Sequence, residues 1–213
     1  MAVTTQQFEA MTPQTYQAVR RDLQSGDVML FHSSDVSSQM IEHFTDSLWS
    51  HAAMLLRLNE IDRVLIMECV PGAGVRMMPL STRINGIPGE MKPYQGKLLV
   101  ARHRDFPSGD AAKVRTLAAI AMDRLGFPYS SQELVKIGER IAASLVGRVL
   151  PGSLSENDRY ICSEFVAMCF QEVGITLRLD REGFMAPADI ALDEFIEGVF
   201  SLRPDQIPVL KAS

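Results

Sequence analysis

Apolar runs and polar breaks divide the chain into a first half of predicted strands and a second half of predicted helices. The strands are short apolar runs bounded by Gly, Pro, Asn or Asp, a pattern typical of buried β-structure. They are predicted at 28–31, 51–58, 63–70, 75–80, 97–103 and 197–202. Because only the polar segment 59–62 separates the second run from the third, these two runs predict a β-hairpin.

Helices are predicted where apolar residues recur at a spacing of three or four. The first begins at Thr12-Pro13, a capping residue followed by a proline suited to the first turn, and ends near Gly26. The Gly- and Pro-rich segment 81–95 is predicted to be an irregular loop. Further helices are predicted at 33–44, 110–125, 130–150, 162–173 and 187–195. This order predicts the α+β class, with an antiparallel sheet packed against helices.

Composition places the chain among ordinary globular proteins. It has 213 residues, of which 46% are hydrophobic and 22% are charged, so a disordered or fibrous chain is excluded. That length predicts a single domain over residues 1–213. The net charge of −5 does not suit a nucleic-acid-binding protein, and it gives no attraction to anionic lipid.

Cysteine usage and hydropathy indicate the compartment. There are three cysteines and no CxxC motif, so neither a disulfide framework nor structural zinc is expected. The first residues lack a basic segment followed by an apolar run, and no apolar stretch reaches the about 20 residues that span a bilayer. We therefore expect a cytoplasmic protein without stable membrane insertion. The oligomeric state stays open.

The segment 160–166 contains the most informative candidate, Cys162. A cysteine in the first turn of a helix lies where the backbone N–H groups and the helix dipole favour the thiolate, which is the nucleophilic form. The same N–H groups can stabilise an oxyanion beside the sulfur. The alternative is a buried cysteine that packs as a small hydrophobic residue.

A nucleophilic thiolate needs a base, and the base needs a group that orients it. His51 begins an apolar strand, and Glu68 interrupts the apolar run 64–70. If the two strands form the predicted hairpin, the two side chains share a face and Glu68 can accept a hydrogen bond from the imidazole. The alternatives are a histidine at the rim of the sheet and a glutamate that faces water.

The order of these segments resembles that of the circularly permuted papain-like cysteine hydrolases, the NlpC-type proteins of the YiiX/YebB-like group. The resemblance spans about 26–190, which is the expected core, and it rests on the segments 26–31, 50–51, 67–68, 160–166 and 187–190. It implies a permuted papain-like fold with a sheet or half-barrel packed against helices. It also implies that Cys162 is the nucleophile, His51 the base and Glu68 the orienting acid.

Three further residues are candidates for holding the substrate. Tyr160 matches an aromatic residue that precedes the cysteine and is a candidate for the oxyanion hole, together with Ser163. His32 follows a buried strand and is a candidate for lining the cleft. Cys69 and Cys169 lie among apolar residues, so we expect them in the core.

The function that follows is a cysteine-dependent amidase or peptidase with a thioacyl intermediate and no metal or cofactor. The expected substrate is a small amide, a peptide or an acyl compound. Acyl transfer or thioester hydrolysis, as in the lecithin–retinol acyltransferase-like proteins, is the alternative. Those proteins have Asn-Cys-Glu-His where this chain has Ile161-Cys162-Ser163-Glu164. A binding protein without catalysis is the third reading.

Overall fold

One open seven-stranded sheet forms the centre of the fold. The computed structural model describes residues 3–32, 48–130, 161–177 and 185–205. The strand order is β1-β7-β6-β2-β3-β4-β5, and neighbours are antiparallel except for the parallel pair β1 and β7. The strands are β1 (Gln14–Thr15), β2 (Val28–His32), β3 (His51–Leu58), β4 (Arg63–Val70), β5 (Gly74–Pro79), β6 (Lys97–His103) and β7 (Ile196–Arg203).

Six α-helices occur in the described part of the chain. They are α1 (Thr5–Glu9), α2 (Tyr16–Val19), α3 (Leu80–Asn85), α4 (Ala111–Asp123), α5 (Cys162–Gln171) and α6 (Pro187–Leu192). The α+β class is thereby confirmed. The hairpin of β3 and β4 has its predicted bounds, with a 3₁₀ turn at Asn59–Ile61 and left-handed Asp62 closing it.

Apolar side chains cover both faces of the sheet, so the fold has three layers. Along β3, Ala52 and Met54 belong to one core, whereas Ala53 and Leu55 belong to the other, as the alternation of a strand requires. The first core receives residues from α4, α5 and α6, including Leu117, Phe165 and Ile190. The second receives residues from α2 and α3, including Tyr16, Val19, Leu80 and Ile84.

Helix α5 is fixed to the sheet by its apolar face. Phe165, Val166, Cys169 and Phe170 are completely buried and lie at the spacing of one helical face. The burial of each large side chain contributes about 1.5–3 kcal/mol. The helix packs on β3 and β4, so its first turn is held beside the beginning of β3.

Two sequence predictions for this part of the fold were wrong. No helix runs from Thr12 to Gly26, because Gln14 and Thr15 pair with β7 instead, and only Tyr16–Val19 is helical. The segment 81–95 contains most of α3, in which Leu80 and Ile84 form a buried pair at helical spacing. Two of the predicted helices, 33–44 and nearly all of 130–150, lie outside the described residues.

Gly72, in the turn between β4 and β5, and Gly74, the first residue of β5, have different surroundings. Both have positive φ, +79° at Gly72 and +68° at Gly74. A Cβ at Gly74 would lie 2.1 Å from the carbonyl oxygen of Phe127, whereas one at Gly72 would meet nothing within 4 Å. The two atoms are close because segment 126–127 packs on β5. The Val75 N–H donates to the Phe127 carbonyl at 2.9 Å, and the Gly126 N–H donates to the Val75 carbonyl at 2.9 Å.

These two glycines provide a matched pair of variants. We expect Gly72→Ala to lower the free energy of unfolding by about 1 kcal/mol, because it adds only the backbone strain of a left-handed residue. Gly74→Ala should cost about 1–3 kcal/mol more, because the backbone of Phe127 must also move. Chemical denaturation measures both values, and equal costs would contradict the docking of segment 126–127 on β5.

Candidate active site

Strands β3 and β4 and helix α5 meet at the beginning of β3, where they bring His51, Glu68 and Cys162 together. The register of β3 and β4 pairs Met54 with Met67, and its continuation places Glu68 one diagonal step from His51 on the same face. The Nε2 atom of His51 lies 2.8 Å from Oε2 of Glu68, which makes a hydrogen bond. The imidazole and the carboxylate are therefore paired within a single hairpin.

Cys162 is the first residue of α5, and its thiol forms a hydrogen bond with the imidazole of His51. Because Nε2 of His51 is engaged by Glu68, Nδ1 is the nitrogen left for the thiol. The backbone N–H groups of Ala52 and Ser163 also donate to the sulfur. The sulfur thus has hydrogen-bond donors from both β3 and the first turn of α5.

Charge coupling between the thiol and the imidazole changes the pKa of both groups. Burial raises the pKa of the Cys162 thiol, but the positive charge and hydrogen bond of His51 and the two backbone N–H groups outweigh burial and lower it. Burial lowers the pKa of His51, but the Cys162 thiolate and then Glu68 raise it, to about 9. A thiolate–imidazolium pair is therefore the expected state near neutral pH.

The carboxylate of Glu68 is 0% exposed and has two arginine partners besides His51. Arg76 donates from Nε at 3.0 Å and from Nη2 at 2.6 Å to Oε1, and Nε of Arg83 lies 3.3 Å from Oε1 and 3.4 Å from Oε2. Burial raises the pKa of Glu68, but the His51 bond and the two guanidinium groups hold it well below its usual range. Glu68 is therefore ionised throughout the physiological pH range.

Neither arginine was predicted from the sequence, although the β4–β5 hairpin indicates the position of Arg76. The short turn 71–73 fixes the register of β4 and β5, which places Arg76 directly opposite Glu68. Reading that second hairpin would have supplied a cation for the buried carboxylate. Arg83 had no such signal, because its helix lies in a segment predicted to be a loop.

The sequence also predicted Ser163, His32 and Tyr160 as residues that hold the substrate or the oxyanion. The Ser163 hydroxyl donates to the Met185 carbonyl at 2.6 Å, so only its backbone N–H is directed to the sulfur of Cys162. His32 ends β2, one residue after Phe31, which pairs with His51. Tyr160 lies outside the described residues.

Tyr129 is a further neighbour that the sequence analysis did not single out. Burial raises the pKa of its phenol, and the negative charges of Cys162 and Glu164 raise it further. The phenol is therefore neutral and lies within electrostatic range of the thiolate. Its position follows from the docking of segment 126–127 on β5.

The other two cysteines lie in the core, as predicted. Cys69 and Cys169 are completely buried, and burial raises the pKa of each thiol to about 12. Cys69 belongs to the first core, on the opposite face of β4 from Glu68. Its thiol pKa is also raised by the charge of Cys162.

A family model described as permuted papain-like amidase enzyme, YaeF/YiiX, C92 family, matches residues 22–136, just over half of the chain. The chain belongs to this family. The matched segment includes His51 and Glu68 with both arginines, and it ends before Cys162. Membership in the permuted papain-like amidases confirms the predicted resemblance and the fold, and it makes the chain a cysteine hydrolase of the amidase or peptidase class.

Two relatives support the placement in this family. The probable lipoprotein peptidase YaeF of Escherichia coli K12 is 25% identical over 208 residues, which cover 89% of this chain and 70% of YaeF. The crystal structure of YiiX from Escherichia coli O157:H7, described as a metalloprotein, superposes with a TM-score of 0.59 at 22% identity. That superposition covers 85% of this chain and 98% of YiiX, and it shows a shared fold.

Within 3–32, 48–130, 161–177 and 185–205, no helix has the length and hydropathy needed to cross a bilayer. The same ranges contain no group of three or more His, Cys, Asp or Glu side chains arranged to hold a metal ion.

The three thiols should differ in reactivity because their pKa values are shifted in opposite directions. With limiting iodoacetamide at about pH 6, we expect Cys162 to be alkylated well before Cys69 and Cys169, because an ordinary thiol titrates near 8.5. His51→Ala should move the alkylation of Cys162 to higher pH, because the loss of a neighbouring cation raises the pKa of a thiol. Peptide mass mapping measures each site, and equal slow labelling of all three would contradict the thiolate assignment.

Proposed function

We propose that the chain hydrolyses an amide bond with Cys162 as the nucleophile, His51 as the acid and base, and Glu68 as the group that orients His51. The observation that carries this proposal is the continuous hydrogen-bonded series from Glu68 through His51 to Cys162. Each group in the series has the charge its role requires. The thiolate is nucleophilic, the imidazolium is an acid and the carboxylate is an acceptor.

In the first step the Cys162 thiolate attacks the carbonyl carbon of the substrate. A C–S bond forms, and the π electrons of the carbonyl move to its oxygen. The oxyanion then collapses, the C–N bond breaks, and the His51 imidazolium gives its proton to the departing amine. The products of this step are a free amine, a thioacyl group on Cys162 and a neutral imidazole.

In the second step water attacks the thioacyl carbon. Neutral His51 accepts a proton from the water as the new C–O bond forms, and the C–S bond breaks to release the carboxylic acid. Cys162 departs as the thiolate, so the thiolate–imidazolium pair is restored. Throughout, Glu68 accepts the Nε2 hydrogen bond of His51 and keeps Nδ1 directed at the sulfur.

The oxyanion that forms in each step needs hydrogen-bond donors. Backbone N–H groups at the N-terminus of a helix stabilise negative charge, so those in the first turn of α5 can donate to the oxyanion. We include the N–H of Ser163, the hydroxyl of Tyr160 and the ring of His32 as groups that contact the substrate or the oxyanion. Neutral Tyr129 joins them as a neighbour of the thiolate.

The substrate class that we propose is a small amide or peptide, with acyl compounds as the wider class. YaeF is named a probable lipoprotein peptidase, which supports an amide of an amino acid or peptide. The net charge of −5 gives no electrostatic reason for a nucleic-acid partner. The cytoplasmic compartment stays a prediction from the sequence.

A single isosteric change separates an orienting role of Glu68 from a passive one. Glu68→Gln keeps the size of the side chain and removes its charge, so we expect turnover to fall by about 10²–10⁴-fold, the range for disabled acid–base catalysis. Glu60→Gln, in the exposed turn after β3, is the matched control and should leave turnover unchanged. Thermal melting verifies that both variants are folded. Full activity of a folded Glu68→Gln variant would exclude the orienting role.

The covalent intermediate can be tested without knowledge of the natural substrate. After brief exposure to a nitrophenyl acyl ester and an acid quench, we expect one acyl group on the peptide that contains Cys162. Cys69→Ala should give the same adduct, because its thiol is buried and protonated. Cys162→Ala should give none. Peptide mapping by mass spectrometry makes the assignment, and an adduct elsewhere with unimpaired hydrolysis in Cys162→Ala would reject the mechanism.

A further inference from the structure

Arg83 is held in a fixed position beside the active site. Its side chain is 17% exposed, and its guanidinium carbon lies 4.5 Å from the ring centroid of Phe31 and 5.1 Å from that of Tyr94. At these distances the cation is attracted to both rings. The Tyr94 hydroxyl donates to the His32 carbonyl at 3.0 Å, which anchors this ring to the end of β2.

The same aromatic group touches the catalytic imidazole. The rings of Phe31 and Tyr94 are 5.3 Å apart in an edge-to-face arrangement, and the ring of Phe31 lies 5.2 Å from that of His51. Arg83 therefore shares one wall with His51. A surface arginine that only paired with a nearby acid would not need such an enclosure.

The contacts of Arg83 with Glu68 differ from those of Arg76. Arg76 uses two nitrogens on Oε1 alone, and its side chain is 41% exposed. Arg83 places Nε between the two oxygens, at 3.3 Å from Oε1 and 3.4 Å from Oε2. Arg83 thus contacts the oxygen that accepts from His51 as well as the other one.

We propose that Arg83, enclosed by Phe31 and Tyr94, is a positioning residue that holds the buried Glu68 carboxylate ionised and aimed at His51. The proposal rests on the proposed function, because it assumes that the pair Glu68 and His51 sustains the Cys162 thiolate. Arg83 touches no reacting atom in this scheme. It acts through Glu68.

The charged groups that face Glu68 determine whether its carboxyl binds a proton at a given pH. Among the described residues they are His51 from β3, Arg76 from β5 and Arg83 from α3, while Cys162 of α5 lies beyond His51. Cys69, the next residue of β4, is on the opposite face and protonated. Burial favours the neutral carboxyl, so loss of a cation lets Glu68 take up a proton at higher pH.

Loss of the Arg83 cation leaves one positive charge fewer beside the buried Glu68 and His51, so the site stabilises the Cys162 thiolate less. The pH below which Cys162 is protonated should therefore move upward when Arg83 is removed. Because Arg76 and the His51 imidazolium remain in place, we expect a shift of about one pH unit, at the lower end of the about 1–3 units by which a nearby charge shifts an ionisable group.

The test is a pH titration of the Cys162 thiolate by ultraviolet absorbance, with Cys162→Ala as the blank. We expect the acid limit of the thiolate to rise by about one pH unit in Arg83→Gln. Arg83→Lys keeps the charge but not the planar fork, so it should restore about half of the shift. Circular dichroism at each pH verifies the fold.

Arg102→Gln is the matched control. Arg102 pairs with the buried Asp27 at 2.7 and 2.9 Å, a similarly buried ion pair at the other end of β2. Its loss should lower the melting temperature without moving the acid limit of the thiolate. A merely structural role of Arg83 predicts the same result for Arg83→Gln, and that result would overturn the proposal.

Two further results distinguish failure of the positioning role of Arg83 from failure of the proposed amide hydrolysis. If Arg83→Gln does not fold, Arg83→Met decides, because it removes the charge and keeps an apolar side chain between Phe31 and Tyr94. An acid limit equal to that of the wild type in this variant rejects the positioning role. If Cys162→Ala retains hydrolysis, the proposed function fails. The shift of the thiolate titration in Arg83→Gln would still support the coupling of Arg83 to the triad groups.

Discussion

The buried carboxylate of Glu68 is the constraint on which the site depends. A carboxylate with no exposure costs several kcal/mol unless charges and hydrogen bonds compensate it. Here the compensation comes from three different elements: His51 from β3, Arg76 from β5 and Arg83 from α3. These elements must therefore keep their relative positions for the chain to fold stably. The same requirement fixes the imidazole in the orientation that the proposed catalysis needs.

The site extends around the end of a strand from one face of the sheet to the other. Glu68 lies on the face of β4 that carries Val64 and Ile66 of the second core. Helix α5, which begins with Cys162, packs on the opposite face, where the first core lies. His51 connects the two because it is the first residue of β3, where the sheet ends. Further along, β3 is buried on both faces and is occupied by apolar residues. The beginning of the strand is thus the place where a polar side chain can contact both layers.

Local patterns predicted the parts of the fold that depend on few residues. The β3–β4 hairpin follows from two alternating runs and one turn, and the position of Glu68 relative to His51 follows from the hairpin alone. The first predicted helix failed because pairing of Gln14 and Thr15 with β7 is a contact between the two ends of the chain. Arg83 was missed for a similar reason. Its role depends on the packing of α3 over Phe31, and a lone arginine in a Gly- and Pro-rich segment usually faces water.

The order of the site residues along the chain has a physical consequence. His51 and Glu68 lie on adjacent strands of one hairpin, so their alignment needs no distant segment. Cys162 arrives from far along the sequence, and its position depends on the packing of α5 against β3 and β4. The orientation of the imidazole and the position of the thiol therefore depend on different sets of contacts. The imidazole is held by Glu68, whose charge Arg76 and Arg83 balance from β5 and α3, whereas the sulfur is placed by the packing of the long-range helix α5. A change in the packing of α5 can thus displace the sulfur while the imidazole keeps its orientation.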